Sequence, residues 1–141
     1  MIYENQKGTP PTLPNLEQRV DDILMMKSLP ADRISSLLDD IKSYAQHNAA
    51  KLNTSQLRNI FSKVLGAKEL SQLQLIRPKL MYVAARQQDR EAKKVVEFFE
   101  RIITKIKTTN PENTEGVNNY KTFMEAFVAY HKYANPICLI V

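Results

Sequence analysis

Apolar residues recur at helical spacing along almost the whole chain, and this constrains the fold more than any other feature. Residues 91–107 show it most strongly: Val95, Val96, Phe98, Phe99, Ile102, Ile103 and Ile106 fall on one face of a helix. No stretch alternates apolar and polar residues with the two-residue period of a half-buried strand. The pattern predicts an all-α protein, a compact bundle of five to six helices whose apolar stripes meet in one core.

The other helices follow from the same spacing and from their punctuation. Leu16, Val20, Ile23, Leu24 and Lys27 follow a helical spacing after Pro14-Asn15, which reads as a helix start. Pro30-Ala31-Asp32 opens a second helix with a stripe of Ile34, Leu37, Leu38, Ile41, Tyr44 and Ala45. Asp21, Asp22, Asp39 and Asp40 lie opposite these stripes as expected solvated acids. Asn53-Thr54-Ser55 supplies a capping hydroxyl for a third helix carrying Leu57, Ile60, Phe61, Val64 and Leu65. Gly66 is expected to end that helix in the left-handed conformation. In the segment about 69–88, Leu70, Leu73, Ile76, Leu80, Val83 and Ala84 share one side, and Pro78 lies inside it. Either the helix kinks at Pro78 or a new one begins there with Pro78 in its first turn. Asn110–Gly116 reads as a turn-rich linker. The last helix, about 117–134, carries Tyr120, Phe123, Met124, Phe127 and Val128.

The 141 residues suffice for one ordinary domain, and 43% of them are apolar. Pro10, Pro11 and Pro14 mark residues 1–14 as a flexible N-terminal arm. Residues 15–135 are expected to form the single helical domain, followed by an apolar tail at 136–141. The chain has one cysteine, Cys138, which excludes an internal disulfide and fits a reducing, cytoplasmic setting. Cys138-Leu139-Ile140-Val141 formally fits a prenylation pattern, but Val is an untypical last residue and no polybasic run lies just upstream. The tail reads instead as an apolar strap that packs on this domain or on a neighbour. No signal-peptide pattern and no run near the ~20 apolar residues of a bilayer span is present, so no membrane partner is expected.

The sequence offers little to catalysis. The three glycines, Gly8, Gly66 and Gly116, make no phosphate-cradling loop. His47 and His131 have no metal-ligand partner at a suitable spacing, so neither metal nor cofactor is expected. Cys138 sits in apolar surroundings that raise a thiol pKa. Asp21/Asp22 and Asp39/Asp40 are adjacent pairs, and neighbours on a helix do not face each other. The chain is therefore expected not to be an enzyme.

Charge points elsewhere. Between Asp40 and Asp89 stands one acidic residue, Glu69, against eight basic ones: Lys42, Lys51, Arg58, Lys63, Lys68, Arg77, Lys79 and Arg86. Residues 51–107 hold thirteen Lys/Arg and five Asp/Glu, whereas residues 1–50 hold five and seven. Charge of one sign so concentrated suggests a polyanionic partner. Lys79, Tyr82 and Arg86 fall within a sector of about 60°, opposite the apolar stripe. Arg58 and Ser62 form a second ridge on the preceding helix. Two such ridges side by side suit a phosphate backbone. Lys51, Lys63, Arg77 and Tyr82 complete the candidate set. Lys63 and Lys68 also read as ordinary solvated lysines near a helix C-terminus, where the macrodipole favours cations. Tyr82 is either a stacking or sugar contact or a ring lying on the bundle. Arg77 lies near the apolar stripe and is either a ligand contact or a structural arginine reaching a carboxylate such as Glu125. No base-reading motif accompanies the ridges. A different reading is a protein-interaction module whose basic face meets an acidic protein.

Three stretches, in order, resemble a known family. They are Thr54-Ser55-Gln56-Leu57-Arg58-Asn59-Ile60, then Leu75-Ile76-Arg77-Pro78-Lys79-Leu80-Met81-Tyr82-Val83-Ala84-Ala85-Arg86, then Phe123-Met124-Glu125-Ala126-Phe127-Val128-Ala129-Tyr130-His131-Lys132. Over roughly 50–135 the chain is similar to the small helical subunit of type III-A CRISPR effector (Csm) ribonucleoprotein complexes, with Ala85 where that family often has Gly. The resemblance implies a non-catalytic, all-helical protein of antiviral defence. Several copies would line up along guide RNA and target RNA, beside the backbone and large subunits. It assigns RNA-backbone contact first to Arg58, Lys79 and Arg86, then to Lys51, Lys63, Arg77 and Tyr82.

Overall fold

A computed structural model describes residues 15–108 and 114–135. The proposed arm 1–14, residues 109–113 of the linker, and the tail 136–141 with Cys138 lie outside the described residues. The longer α-helices are α2 (Ala31–His47), α3 (Thr54–Gly66), α5 (Arg77–Ala85), α6 (Arg90–Thr104) and α7 (Thr114–Ala134). Two short ones, α1 (Val20–Ile23) and α4 (Leu70–Gln74), accompany them. No strand occurs among the described residues, so the all-α bundle is the observed architecture.

The core is built from the predicted stripes. On α6, Val95, Val96, Phe98, Phe99, Ile102 and Ile103 are all buried. They meet Tyr120, Phe123, Met124 and Phe127 of α7 and Leu37, Ile41 and Tyr44 of α2. Phe99 and Phe127 meet edge to face, with ring centroids 4.9 Å apart. Tyr44 stands edge-on to Phe98 at 5.5 Å. Such pairs add about 0.5–1.5 kcal/mol each beyond the apolar area they bury. The Tyr120 hydroxyl donates to the Phe99 carbonyl at 3.0 Å, so its buried polar end is satisfied. Helix α7 packs against α2 and α3, while α5 packs against α6. This arrangement sets α3 and α5 on the outside of the aromatic core.

Sequence and structure differ at several points, each with a physical cause. The first predicted helix is broken into a 3-10 turn at Asn15–Gln18, the single turn α1, and a second 3-10 turn at Met26–Ser28. Buried Asn119 of α7 accounts for the break. Its Nδ2 donates to the Leu24 carbonyl at 2.8 Å and its Oδ1 accepts from the Lys27 N–H at 2.9 Å. Those two backbone groups are thus engaged by α7 rather than by helical i,i+4 partners. Nor are Asp22 and Asp40 freely solvated. Arg19 binds both at 2.9 Å, and Arg33 binds Asp22 at 2.7 Å.

The cap of α3 is the Asn53 amide oxygen, which accepts from Gln56 N–H at 2.9 Å, not a hydroxyl. Gly66 is the last helical residue rather than a left-handed cap, and no glycine among the described residues has a positive φ. The chain leaves α3 through Ala67 in an extended conformation, which any residue adopts. Finally, α7 begins at Thr114, inside the expected linker, with Glu115 in its first turn where the helix dipole favours an acid.

The alternative left open at Pro78 is resolved in favour of a new helix. Pro78 lies in the first turn of α5, where its missing N–H leaves no helical bond unmade. Had α4 continued, Pro78 would have been required to donate to Gln74.

Candidate nucleic-acid interface

The outward face of α3 carries Ser55, Arg58, Asn59 and Ser62, all exposed, while Leu57, Ile60 and Val64 point into the core. This is the ridge that helical spacing predicts. The fold opens a cleft on each side of it. Towards α5 lies a small cleft of about 170 Å³ lined by Gln56, Asn59, Ile60, Lys79, Tyr82, Val83 and Arg86. Towards α7 lies a larger groove of about 620 Å³ lined by Ser55, Arg58, Asn59, Phe61, Ser62, Leu65, Val128 and Lys132. Asn59 borders both. Neither cleft has a carboxylate in its lining.

Lys79, Tyr82 and Arg86 therefore do face α3, as two ridges side by side require. Tyr82 is 60% exposed, so its ring is presented to solvent rather than laid into the bundle. Arg86 is held by it: Nη1 donates to the Tyr82 hydroxyl at 3.0 Å, and the guanidinium carbon lies 5.6 Å from the ring centroid. This arrangement orients the planar fork of Arg86 yet leaves most of its N–H groups for an anion. A second contact joins the helices at the end of the cleft, where Gln87 donates to the Gln56 side chain and to the Val83 carbonyl. Arg58, Lys79 and Lys132 make no ion pair with any described residue.

Lys51 is exposed in the turn before α3, and Lys63 is exposed on α3, both outside the two linings. Arg77 is different. It sits on the opposite flank of α5, where Nε donates to Glu100 of α6 at 2.9 Å and Nη1 to Gln74 at 2.9 Å. The structural alternative for this residue holds in kind, but its carboxylate is Glu100 rather than Glu125. The structure does not bring Arg77 to the ridge.

Sequence reasoning missed Gln56, Asn59 and Lys132. For Ser55, Asn59 and Ser62 the signal was available, since positions i, i+4 and i+7 share a helical face. For Lys132 spacing carried none, because it meets α3 only through the packing of α7. No cluster of His, Cys, Asp or Glu able to hold a metal ion occurs among the described residues. Among the same residues, no helix is long and apolar enough to cross a membrane. Buried His131 sits in an unusual environment for a titratable group. Its Nε2 lies 3.0 Å from the Ala49 carbonyl, and its ring stacks on Phe127. Burial pulls its pKa down, and the backbone carbonyls of Ala49 and Leu52 only partly offset that. It is a core histidine, neutral near pH 7, that ties the end of α7 to the loop between α2 and α3.

Fold and site together define a class: a small helical bundle with a ridge of arginine, lysine and polar side chains beside two clefts that no carboxylate lines. The family model described as Csm2 Type III-A matches residues 24–136, and the chain belongs to that family. It is accordingly a small subunit of type III-A CRISPR Csm complexes, a structural family rather than a known catalytic one. No curated protein and no solved structure matches the chain.

Proposed function

We propose that this subunit holds the guide RNA and target RNA of its complex by the sugar-phosphate backbone, without sequence preference and without cutting either strand. The observation that carries the reading is the pair of clefts flanking α3, lined by Arg58, Lys132, Lys79 and Arg86 with no acid among them. Arg58, Lys79 and Arg86 are the principal phosphate ligands, with Lys132 added by the fold. Lys51, Lys63 and Tyr82 extend the track. Arg77 serves chiefly to fix α5 on α6. The polar Ser55, Asn59 and Ser62 side chains supply uncharged donors to phosphate or ribose oxygens.

Such a surface binds weakly as a single copy. Further copies on the same strand, beside the backbone and large subunits, raise the effective concentration and make a weak contact sufficient. The setting is the cytoplasm, and the role is assembly in antiviral defence. A salt titration of RNA binding tests the reading: affinity falls steeply with salt, and each phosphate contact removed lowers the log–log slope by about 0.7 for a single strand. A folded Arg58→Glu, Arg86→Glu variant that binds RNA as wild type does would falsify the assignment. Association with protein partners that survives nuclease and ignores these substitutions would instead favour an acidic protein as the occupant of the basic face.

A further inference from the structure

The α3–α7 groove has a mixed character that phosphate binding alone does not explain. Its lining is polar at Ser55, Arg58, Asn59, Ser62 and Lys132, but Phe61, Leu65 and Val128 also belong to it. Leu65 is 50% exposed, and Phe61 and Val128 are each only partly buried. Phe61 and Leu65 stand four positions apart on α3, so they are neighbours on its surface, about 6 Å apart along the axis. Val128 extends this apolar patch from α7. A phosphate makes no use of such a patch, which offers it no donor.

The two clefts beside α3 differ as the parts of a nucleotide differ. In the α3–α5 cleft, about 170 Å³, the cations are Lys79 and Arg86, and the aliphatic Ile60 and Val83 are buried. That cleft offers charge but little room. The α3–α7 groove, about 620 Å³, lies in the range of about 300–1,000 Å³ typical of pockets for small organic ligands. It sets two cations, Arg58 and Lys132, beside the apolar patch, and no carboxylate lines it. Its chemistry suits an anion joined to a flat, largely apolar body. Asn59 lines both clefts, so the groove continues the backbone track instead of standing apart from it. An unpaired nucleotide of a strand on that track has this composition. A nucleotide within a duplex does not, because the faces of its base are covered by its stacked neighbours.

We infer that the α3–α7 groove takes the base of one unpaired nucleotide, its face against Phe61, Leu65 and Val128 and its phosphate between Arg58 and Lys132. The inference rests on the RNA-backbone function proposed above and adds a base to it. Every base has a π-face, so such a pocket grips without reading sequence. It favours single-stranded stretches over fully paired ones, a distinction that phosphate contacts alone do not draw.

Two end-labelled strands of equal length test this by fluorescence anisotropy at low salt. One is a ribose-phosphate chain without bases, and the other is the same chain with one central adenine. Both carry the same charge, so any difference between them belongs to the base. The adenine is expected to tighten binding about tenfold, within the range of base contacts in single-strand binders. The salt slope is expected to be the same for both. In the double variant Leu65→Ala, Val128→Ala, the gain is expected to vanish while the base-free strand binds as it does to wild type. Its melting temperature shows whether the fold is kept, and Leu65→Ala alone, at a half-exposed site, is expected to lose part of the gain. Equal binding of the two strands to wild type overturns the base pocket and leaves the backbone grip standing. A gain that survives the double variant but disappears in Tyr82→Ala puts the base on α5 and overturns it as well. So does loss of a nuclease-resistant protein partner from the complex carrying the double variant with no change in the gain, which gives the groove to a protein. Failure of both strands to bind refutes the proposed function itself, and the base pocket with it.

Discussion

Two regions of the molecule use arginine in opposite ways. Near the N-terminal turns, Arg19 is enclosed by Asp22 and Asp40, and Arg33 adds a second hold on Asp22. On the ridge formed by α3 and α5, Arg58 and Arg86 have no carboxylate within reach, although Arg77, on the same short helix as the ridge, is tied to Glu100. The difference is local bookkeeping of charge. Where arginine holds elements together its partner is in the fold, and where it does not, the fold leaves the positive charge uncompensated. Uncompensated charge costs self-repulsion, so its retention on one face argues for an anion outside the fold.

The largest effect expected from breaking this contrast is on RNA. Charge reversal at Arg58 and Arg86 together should weaken RNA binding about 100-fold at moderate salt, since charge-assisted contacts contribute about 1.5 kcal/mol or more each. Thermal stability should barely move, because exposed sites away from special features usually shift by about 0.5 kcal/mol or less. The reverse is expected for Arg19→Ala. It should lower stability by about 1–2 kcal/mol, because Asp22 and Asp40 lose their charged donor, and leave RNA affinity unchanged. Parallel binding and melting measurements on the two variants decide the matter. Arg19→Ala weakening RNA binding as much as the ridge variant would dissolve the distinction.

Acid sharpens the same comparison. Burial alone would raise the Asp22 pKa, but the hydrogen bonds from Arg19 and Arg33 outweigh it and hold the carboxyl below its ordinary 3.8. A depressed carboxyl stabilises the fold above its unfolded pKa, and that stability is lost as pH falls through the folded value. His131 acts at higher pH with the same sign. Its folded pKa lies below the ordinary 6.5, so below that pH the unfolded chain takes up a proton that the fold refuses. Stability should therefore be full above 6.5 and decline as pH falls towards the folded value. Denaturant titrations across this range should show the decline in wild type and a flatter profile in His131→Gln. An unchanged slope in that variant would mean another group carries the effect.

The core was legible because it is local: the stripes from α2 to α7 follow a period that a helix imposes on its own residues, although Leu65, at the edge of the α3 stripe, stays 50% exposed. The ridge was legible on the same grounds as far as Arg58, Lys79, Tyr82 and Arg86. What escaped depends on contacts remote in sequence. Nothing near Leu24 says that Asn119, 95 positions away, takes its carbonyl and breaks the first helix. Nothing near Arg77 says that Glu100 rather than Glu125 receives it, since both are acids on neighbouring helices. Lys132 joined the site for the same reason, by packing alone.

Gly66 was misread for the opposite reason, because a local rule was applied where the chain does not use it. The residue closes α3 in a helical conformation, and a Cβ built on it meets nothing within 4 Å. Glycine therefore contributes no needed freedom here, only a larger entropy in the unfolded chain. Gly66→Ala should stabilise the protein by about 0.5–1 kcal/mol. This is the smallest of the expected effects and should appear as a rise in melting temperature at constant denaturant sensitivity. Its effect on RNA binding sharpens the comparison further, because Gly66 lies on the same outward face as Ser55, Asn59 and Ser62. Open space around the Cβ in the free protein means any loss of RNA affinity in Gly66→Ala comes from a strand passing close over the end of α3. Unchanged affinity with raised stability would confine the track to the region between Ser55 and Ser62, alongside Lys79 and Arg86.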